Sequence, residues 1–96
     1  MKRTAPKSIG EILTEFFERP YVARKIAEGR VPDIWAEVVG PQLAAATREV
    51  RLERGILYIG MVSGVARQEV FYQRDSLAAE INRRAGHDIV RSIVVK

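Results

Sequence analysis

The side chains that could carry out covalent or metal chemistry are few in this sequence. His87 is the only histidine and there is no cysteine, so one chain cannot assemble a zinc site from His and Cys ligands. The four serines have only this histidine as a conventional base, and no acid is spaced to orient it. The stretch GMVSGVARQ lacks the Gly-Lys-Ser/Thr ending of a phosphate-binding loop. We therefore predict that the protein is not an enzyme and uses no metal or cofactor.

Arginine supplies the chemistry that remains. The 96-residue chain has twelve arginines against four lysines, and its net charge is +4. A guanidinium group binds phosphate or carboxylate through two parallel hydrogen bonds, and a basic protein attracts polyanions. The twelve acidic residues are interleaved with the bases, however, and that pattern is also typical of a solvated surface of mixed charge. Both interpretations stay open at this point.

Candidate phosphate contacts fall at two places in the chain. The first seven residues, MKRTAPK, contain no acid and are expected to form a flexible basic arm. The second group surrounds a predicted hairpin, where Tyr58 could stack on a base or could instead be a half-buried cross-strand partner. The candidate nucleic-acid-binding residues are Lys2, Arg3, Lys7, Arg48, Arg51, Arg54 and Tyr58.

Composition predicts one small domain. Hydrophobic residues make up 47% of the chain and charged residues 29%, as in ordinary globular domains. No apolar run approaches the roughly 18 residues that a membrane helix needs, and the start lacks the apolar centre of a signal peptide. We expect a cytoplasmic protein that makes no membrane contact, with an arm over residues 1–7 and a single α+β domain over 8–96.

The first half of the chain predicts short helices. Ser8 and Glu11 fit a capping box that starts an amphipathic helix, and this helix must stop at Pro20. A second helix is predicted from Pro20 to Glu28 with Gly29 as a left-handed stop, and Asp33 is expected to cap a third helix. Trp35 is expected in the core, and we expect the other elements to pack around the unit of residues 30–64.

The second half predicts a hairpin, a long helix and a final strand. Alternation in TREVRLE and ILYIGMVS indicates two strands joined at Gly55, which can adopt a positive φ. After Gly64 a helical period runs for about twenty residues, and HDIVRSIVVK then predicts a third strand. The expected fold is α+β, with N-terminal helices, a β-hairpin, a long helix and a final strand, and with helices on one face of a small mixed sheet.

The long helix carries more apolar side chains than one inward stripe requires. Phe71 and Tyr72 widen its apolar surface. Such a surplus predicts a second contact, either with the N-terminal helices or with a partner chain, and a homodimer is one possibility. We regard these two residues as candidate partner-binding residues. The alternative to a nucleic-acid module is thus a protein-interaction adaptor or homodimeric scaffold that does not bind nucleic acid directly.

Several landmark residues follow one another with a characteristic order and spacing over about residues 30–95: Trp35, Val38, Val39, Gly40, Leu43, Ala44, Thr47, Gly55, Leu57, Ser63, Glu69, Ile81, Asn82 and Gly86. Together they resemble the DciA-like family of small bacterial proteins. The resemblance implies a fold similar to the type II KH domain. It also implies a role as loader or operator of the replicative DNA helicase, with that helicase as partner and some weak DNA binding.

Overall fold

The computed structural model describes residues 8–96, and the predicted basic arm lies outside them. Six helices and three strands follow one another in this part of the chain. Their bounds are α1 Ile9–Phe17, α2 Pro20–Gly29, α3 Val31–Val39, α4 Pro41–Ala45, β1 Thr47–Glu53, β2 Ile56–Met61, α5 Gly64–Tyr72, α6 Arg74–Ala85 and β3 Ser92–Val95.

The three strands form one mixed sheet in the order β1-β2-β3. β1 and β2 are antiparallel, whereas β3 runs parallel to β2 and is reached through α5 and α6. The inner face carries the apolar residues of each strand, among them Leu57, Ile59 and Ile93, and packs against the helices. The predicted α+β fold, with a small mixed sheet covered on one face, is therefore confirmed.

The core is centred on Trp35, as the sequence predicts. Its side chain is 1% exposed and packs among residues of α3, the sheet, α5 and α6. The indole Nε1 donates a hydrogen bond of 3.1 Å to Thr47 Oγ1, and this hydroxyl donates in turn to the Leu43 carbonyl at 2.7 Å. The one polar atom of the buried indole is thus satisfied, and the pair of bonds fixes α3 and α4 against the start of β1.

The long helix predicted after Gly64 is in fact two helices, which meet at Gln73. Successive helical residues turn by about 100°, so a straight helix would rotate its inward stripe by roughly 100° between Ala66 and Ala85. The break at Gln73 lets both segments keep their small and apolar residues on the core. Arg74 stabilises it, because its side chain donates to the Phe71 carbonyl at 2.8 Å.

Two predicted boundaries near the α2–α3 corner were wrong. α2 includes Gly29 and is followed by Arg30 in the right-handed helical region, so Gly29 is not a left-handed stop. α3 begins at Val31, which places Pro32 and Asp33 in its first turn rather than before it. Proline is tolerated there because the first-turn amides have no partner within the helix.

The last strand is shorter than predicted. β3 covers only Ser92–Val95, and the residues before it are held by one side chain of α6. Asn82 Oδ1 accepts hydrogen bonds from the amides of Ile89 (3.0 Å) and Val90 (2.8 Å), while its Nδ2 donates to the Val90 carbonyl at 2.8 Å. These bonds replace the sheet pairing that the predicted longer strand would have had.

α1 has the predicted capping box but not the predicted packing. Ser8 Oγ accepts from the Glu11 amide at 3.1 Å, and Glu11 Oε1 accepts from the Ser8 amide at 2.8 Å. No residue of α1 is buried, and its main contact is with α2. The described residues extend over 68 × 21 × 18 Å, with a radius of gyration of 17.7 Å. A compact domain of this length has a radius of about 13 Å, so α1 projects from the body.

Candidate nucleic-acid and partner interfaces

The sheet face that points away from the helices carries the predicted hairpin cations. Arg51 of β1 lies opposite Tyr58 of β2 in the cross-strand register. A bulge between Thr47 and Glu49 inserts one extra residue into β1 and brings the Arg48 side chain onto the same face. This side chain lies over Gly60, where an added Cβ would come within 3.1 Å of Arg48 Nε. The glycine therefore makes room for the arginine.

Arg51 is already engaged by acidic neighbours. Its guanidinium lies 2.9 Å from Glu53 Oε1 and 3.4 Å from Glu49 Oε2. Desolvation acts to lower its pKa, but hydrogen bonds and charge interactions with Glu53 and Glu49 outweigh this effect and raise the pKa. Arg51 thus stays charged, but a phosphate would have to compete with two carboxylates for it.

Tyr58 is half-buried between two cations. The Arg51 guanidinium carbon lies 4.3 Å from the ring centroid, and Lys96 Nζ lies 5.7 Å from it. Both distances are within the range of cation–π attraction. The arrangement is the one expected of a cross-strand partner, and a base that stacked on the ring face covered by Arg51 would have to displace this side chain.

The hairpin tip holds a second pair of arginines. Arg54 and Gly55 form the two-residue turn, with φ values of 51° and 83°. Arg91, from the segment before β3, donates from Nη2 to the Arg54 carbonyl at 2.8 Å. Sequence reasoning missed Arg91, because its position depends on the parallel pairing of Ser92 with Ile56, which no local pattern reveals.

The predicted cations of the hairpin are therefore spread from the start of β1 to the hairpin turn. Arg48 and Arg54 are six residues apart, which corresponds to at most about 20 Å of extended chain. Both are exposed, and neither forms an ion pair within residues 8–96. Lys2, Arg3 and Lys7 lie outside the described residues, and their part in any binding stays a prediction.

Phe71 and Tyr72 lie side by side at the end of α5. They are 45% and 74% exposed, and their rings meet edge to face at a centroid distance of 6.3 Å. Arg74 lies 4.0 Å above the Phe71 ring. Beside them, a shallow apolar groove of about 690 Å³ runs along α5 between Val65 and Tyr72. We call the exposed side chains Val62, Val65, Phe71 and Tyr72 the α5 patch.

Two kinds of site have no counterpart in residues 8–96. Nowhere in this part of the chain do three or more His, Asp or Glu side chains gather as a metal ion would require. None of its helices has the length and apolar character needed to cross a membrane.

The chain belongs to the DciA family. The family described as "Dna[CI] antecedent, DciA" matches residues 8–95, which include every helix and strand described above. The resemblance seen in the sequence is thereby confirmed. No solved structure matches the chain, so the similarity to the KH fold stays a prediction.

Related proteins are found in mycobacteria. UPF0232 proteins of Mycobacterium tuberculosis and Mycobacterium bovis are 29% identical to this chain over 90 residues, and one of Mycobacterium leprae is 27% identical. Each match covers 94% of this chain and 48% of the relative. The chain thus spans about half the length of the curated relatives that it matches.

Proposed function

We propose that this domain is a non-enzymatic binding module of bacterial DNA replication that docks on the replicative DNA helicase, as the DciA-like loaders do. The observation that carries the proposal is the family match over residues 8–95. Because the match includes both the sheet and the α5 patch, these two surfaces belong to the part of the chain shared with the family.

The α5 patch is the surface that we assign to the helicase. Its aromatic pair is exposed, and it adjoins an apolar groove with Arg74 at one side. Aromatic residues and arginine are enriched among the side chains that dominate binding energy at protein interfaces. Tyr72 is a large side chain that is 74% exposed, so a partner can bury much of its surface. The hydroxyl group at the tip of its ring accepts a 3.1 Å hydrogen bond from Gln68 Nε2.

Biolayer interferometry with purified replicative helicase tests this assignment. A Tyr72→Ala variant should weaken binding about 30-fold, the effect of losing a central contact worth roughly 2 kcal/mol. Val94→Ala is a matched control, because it removes an exposed apolar side chain from the opposite, open face of the sheet. Equal affinities for the wild type and Tyr72→Ala would exclude the α5 patch as the interface.

We further propose weak, sequence-independent nucleic-acid binding along β1, with Arg48 and Arg54 as the leading contacts. These two exposed arginines have no carboxylate partner in the part of the chain that the structure describes, so a phosphate meets no competitor there. Arg51, Tyr58 and the three cations of the arm would add contacts. Such binding depends on counterion release and therefore falls steeply with salt concentration.

Fluorescence anisotropy with a labelled single-stranded oligonucleotide over a salt series tests this second activity. Reversal of both arginines, Arg48→Glu with Arg54→Glu, should reduce the slope of log K against log salt concentration by about 1.4. The control Arg24→Glu with Lys25→Glu changes the net charge by the same amount on exposed positions of α2. If both double variants lose affinity equally, net charge rather than the β1 surface governs binding.

The alternative is an adaptor that binds the helicase without touching nucleic acid. It is favoured by the ion pairs of Arg51 with Glu49 and Glu53, which occupy the central cation of the open face. Helicase binding together with no anisotropy change at low salt would support the adaptor. If the wild type binds neither the helicase nor the oligonucleotide, the result would argue against the proposed function as a whole.

A further inference from the structure

α1 carries an exposed apolar stripe that neither proposed surface includes. The exposed fractions of its five large apolar side chains lie between 43% and 73%. At helical spacing they fall within about 140° of one face, so they form one continuous strip along a helix about 13 Å long. We call these residues the α1 stripe: Ile9, Ile12, Leu13, Phe16 and Phe17.

Apart from its contact with α2, this helix has little tertiary packing within residues 8–96. A nine-residue helix is marginal in water without tertiary packing, even with a capping box. α1 leaves the body through Arg19, which is extended as the residue before Pro20 must be. Because its side chains are 43–73% exposed, the stripe is accessible to another molecule.

We propose that the α1 stripe is a homodimer interface, in which it packs antiparallel against the α1 stripe of a second copy. The stripe is complementary to itself in that orientation. Its N-terminal half is aliphatic, with Ile9 and Ile12, and its C-terminal half is aromatic, with Phe16 and Phe17. Antiparallel pairing places the aliphatic half of one helix against the aromatic half of the other, under the two-fold symmetry that is commonest among dimers.

The area of the stripe fits a second copy of this size. Five side chains with about half of roughly 200 Å² exposed give about 500 Å² per chain, or about 1,000 Å² for the pair. This is close to the lower limit for a specific interface, so we expect a weak dimer that dissociates in the micromolar range.

The charges of α1 argue for a protein surface and against an anionic membrane. Within residues 8–18 the charged side chains are Glu11, Glu15 and Glu18. Their helical positions place them opposite the stripe, so they stay in water when two stripes pair. Helices that lie on anionic bilayers carry lysine and arginine on their polar face instead.

Analytical ultracentrifugation of the full chain from 1 to 200 µM tests the proposal. The wild type should pass from monomer to dimer over this range, and Phe16→Glu should remain monomeric at 200 µM. Tyr72→Glu, in the α5 patch, should dimerise like the wild type. A monomeric wild type at 200 µM, or loss of the dimer in Tyr72→Glu but not in Phe16→Glu, would overturn the proposal.

A cysteine placed in this cysteine-free chain tests the orientation. Leu13 is the central residue of α1, so it faces its own symmetry mate in an antiparallel pair, whereas Ile9, at the end of the same stripe, faces its own mate only in a parallel pair. Leu13→Cys should therefore form a disulfide-linked dimer on mild oxidation with copper phenanthroline, at a rate at least tenfold above that of Ile9→Cys. Equal rates for the two variants would refute the antiparallel arrangement. Unchanged Trp35 fluorescence verifies that the body of each variant is folded.

Discussion

Replacement of Asn82 should show most clearly that side-chain hydrogen bonds, and not apolar packing alone, stabilise this fold. Its amide makes three hydrogen bonds of 2.8–3.0 Å with the main chain of Ile89 and Val90. Those two residues are 1% and 4% exposed, so water has little access to the polar groups that Asn82→Ala would leave unpaired. The segment also leads into β3, and its loosening would reach the sheet.

The cost can be worked from these bonds. Each hydrogen bond contributes about 1 kcal/mol net, and a buried amide left without an acceptor costs about 1–3 kcal/mol, so Asn82→Ala should lower the free energy of unfolding by about 3 kcal/mol. For a domain of this length that loss corresponds to a fall in Tm of about 12–24 °C. Asn82→Asp keeps both acceptor bonds but opposes a carboxylate to the Val90 carbonyl, and should lose about 1–2 kcal/mol.

Urea unfolding followed by the fluorescence of Trp35 measures these differences, since this single tryptophan is buried in the core. The m-value should stay constant if only stability changes. Hydrogen exchange should accelerate at the amides of Ile89 and Val90 before it does so elsewhere. A loss below about 1 kcal/mol for Asn82→Ala, or an equal loss in both variants, would refute the reasoning that these bonds hold the segment.

Two further predictions concern a buried hydrogen bond and a titrating carboxylate. Thr47→Val should lower the free energy of unfolding by about 2 kcal/mol, because the buried Trp35 Nε1 loses its acceptor. Thr47→Ser keeps the hydroxyl, so its free energy of unfolding should lie within about 1 kcal/mol of the wild-type value. Similar urea midpoints for the two variants would contradict this prediction. Hydrogen bonds from Arg83 and then Arg84 lower the pKa of Glu80 from 4.5 to about 2. The stabilising contribution of Glu80 is thus complete above pH 4.5 and is lost as the pH falls through about 2. Glu80→Gln should remove this pH dependence of stability. An NMR titration that gives Glu80 a pKa near 4.5 would disprove the prediction.

Local signals in the sequence predicted local structure well. The capping box at Ser8, the alternation in both hairpin strands and the positive φ of Gly55 all depend on residues within a few positions of one another. The burial of Trp35 could also be predicted, because a large indole among aliphatic residues at helical spacing has few other places to lie.

Features set by distant contacts could not be predicted in the same way. The break at Gln73 depends on the direction in which α5 and α6 must each face the core, and the position of Arg91 depends on the pairing of β3 with β2. For the candidate site, the alternation along β1 indicates that Glu49, Arg51 and Glu53 share one face, but it does not show that both carboxylates form ion pairs with Arg51. Whether any of the predicted residues binds DNA or a partner stays a prediction.

α1 shows why an apolar stripe alone does not tell which molecule will cover it. The sequence pattern of the α1 stripe would suit a core helix equally well, yet the core closes around Trp35 without it. Since the body does not depend on the stripe for burial, substitutions such as Phe16→Glu should change association while leaving unfolding of the body nearly unaltered. The α5 patch differs, because Val70 and Ala66 of the same helix are buried in the core. Substitutions in α5 should therefore lower stability together with partner binding, whereas those in the α1 stripe should lower association alone. The two surfaces can be distinguished by whether loss of binding is accompanied by loss of stability.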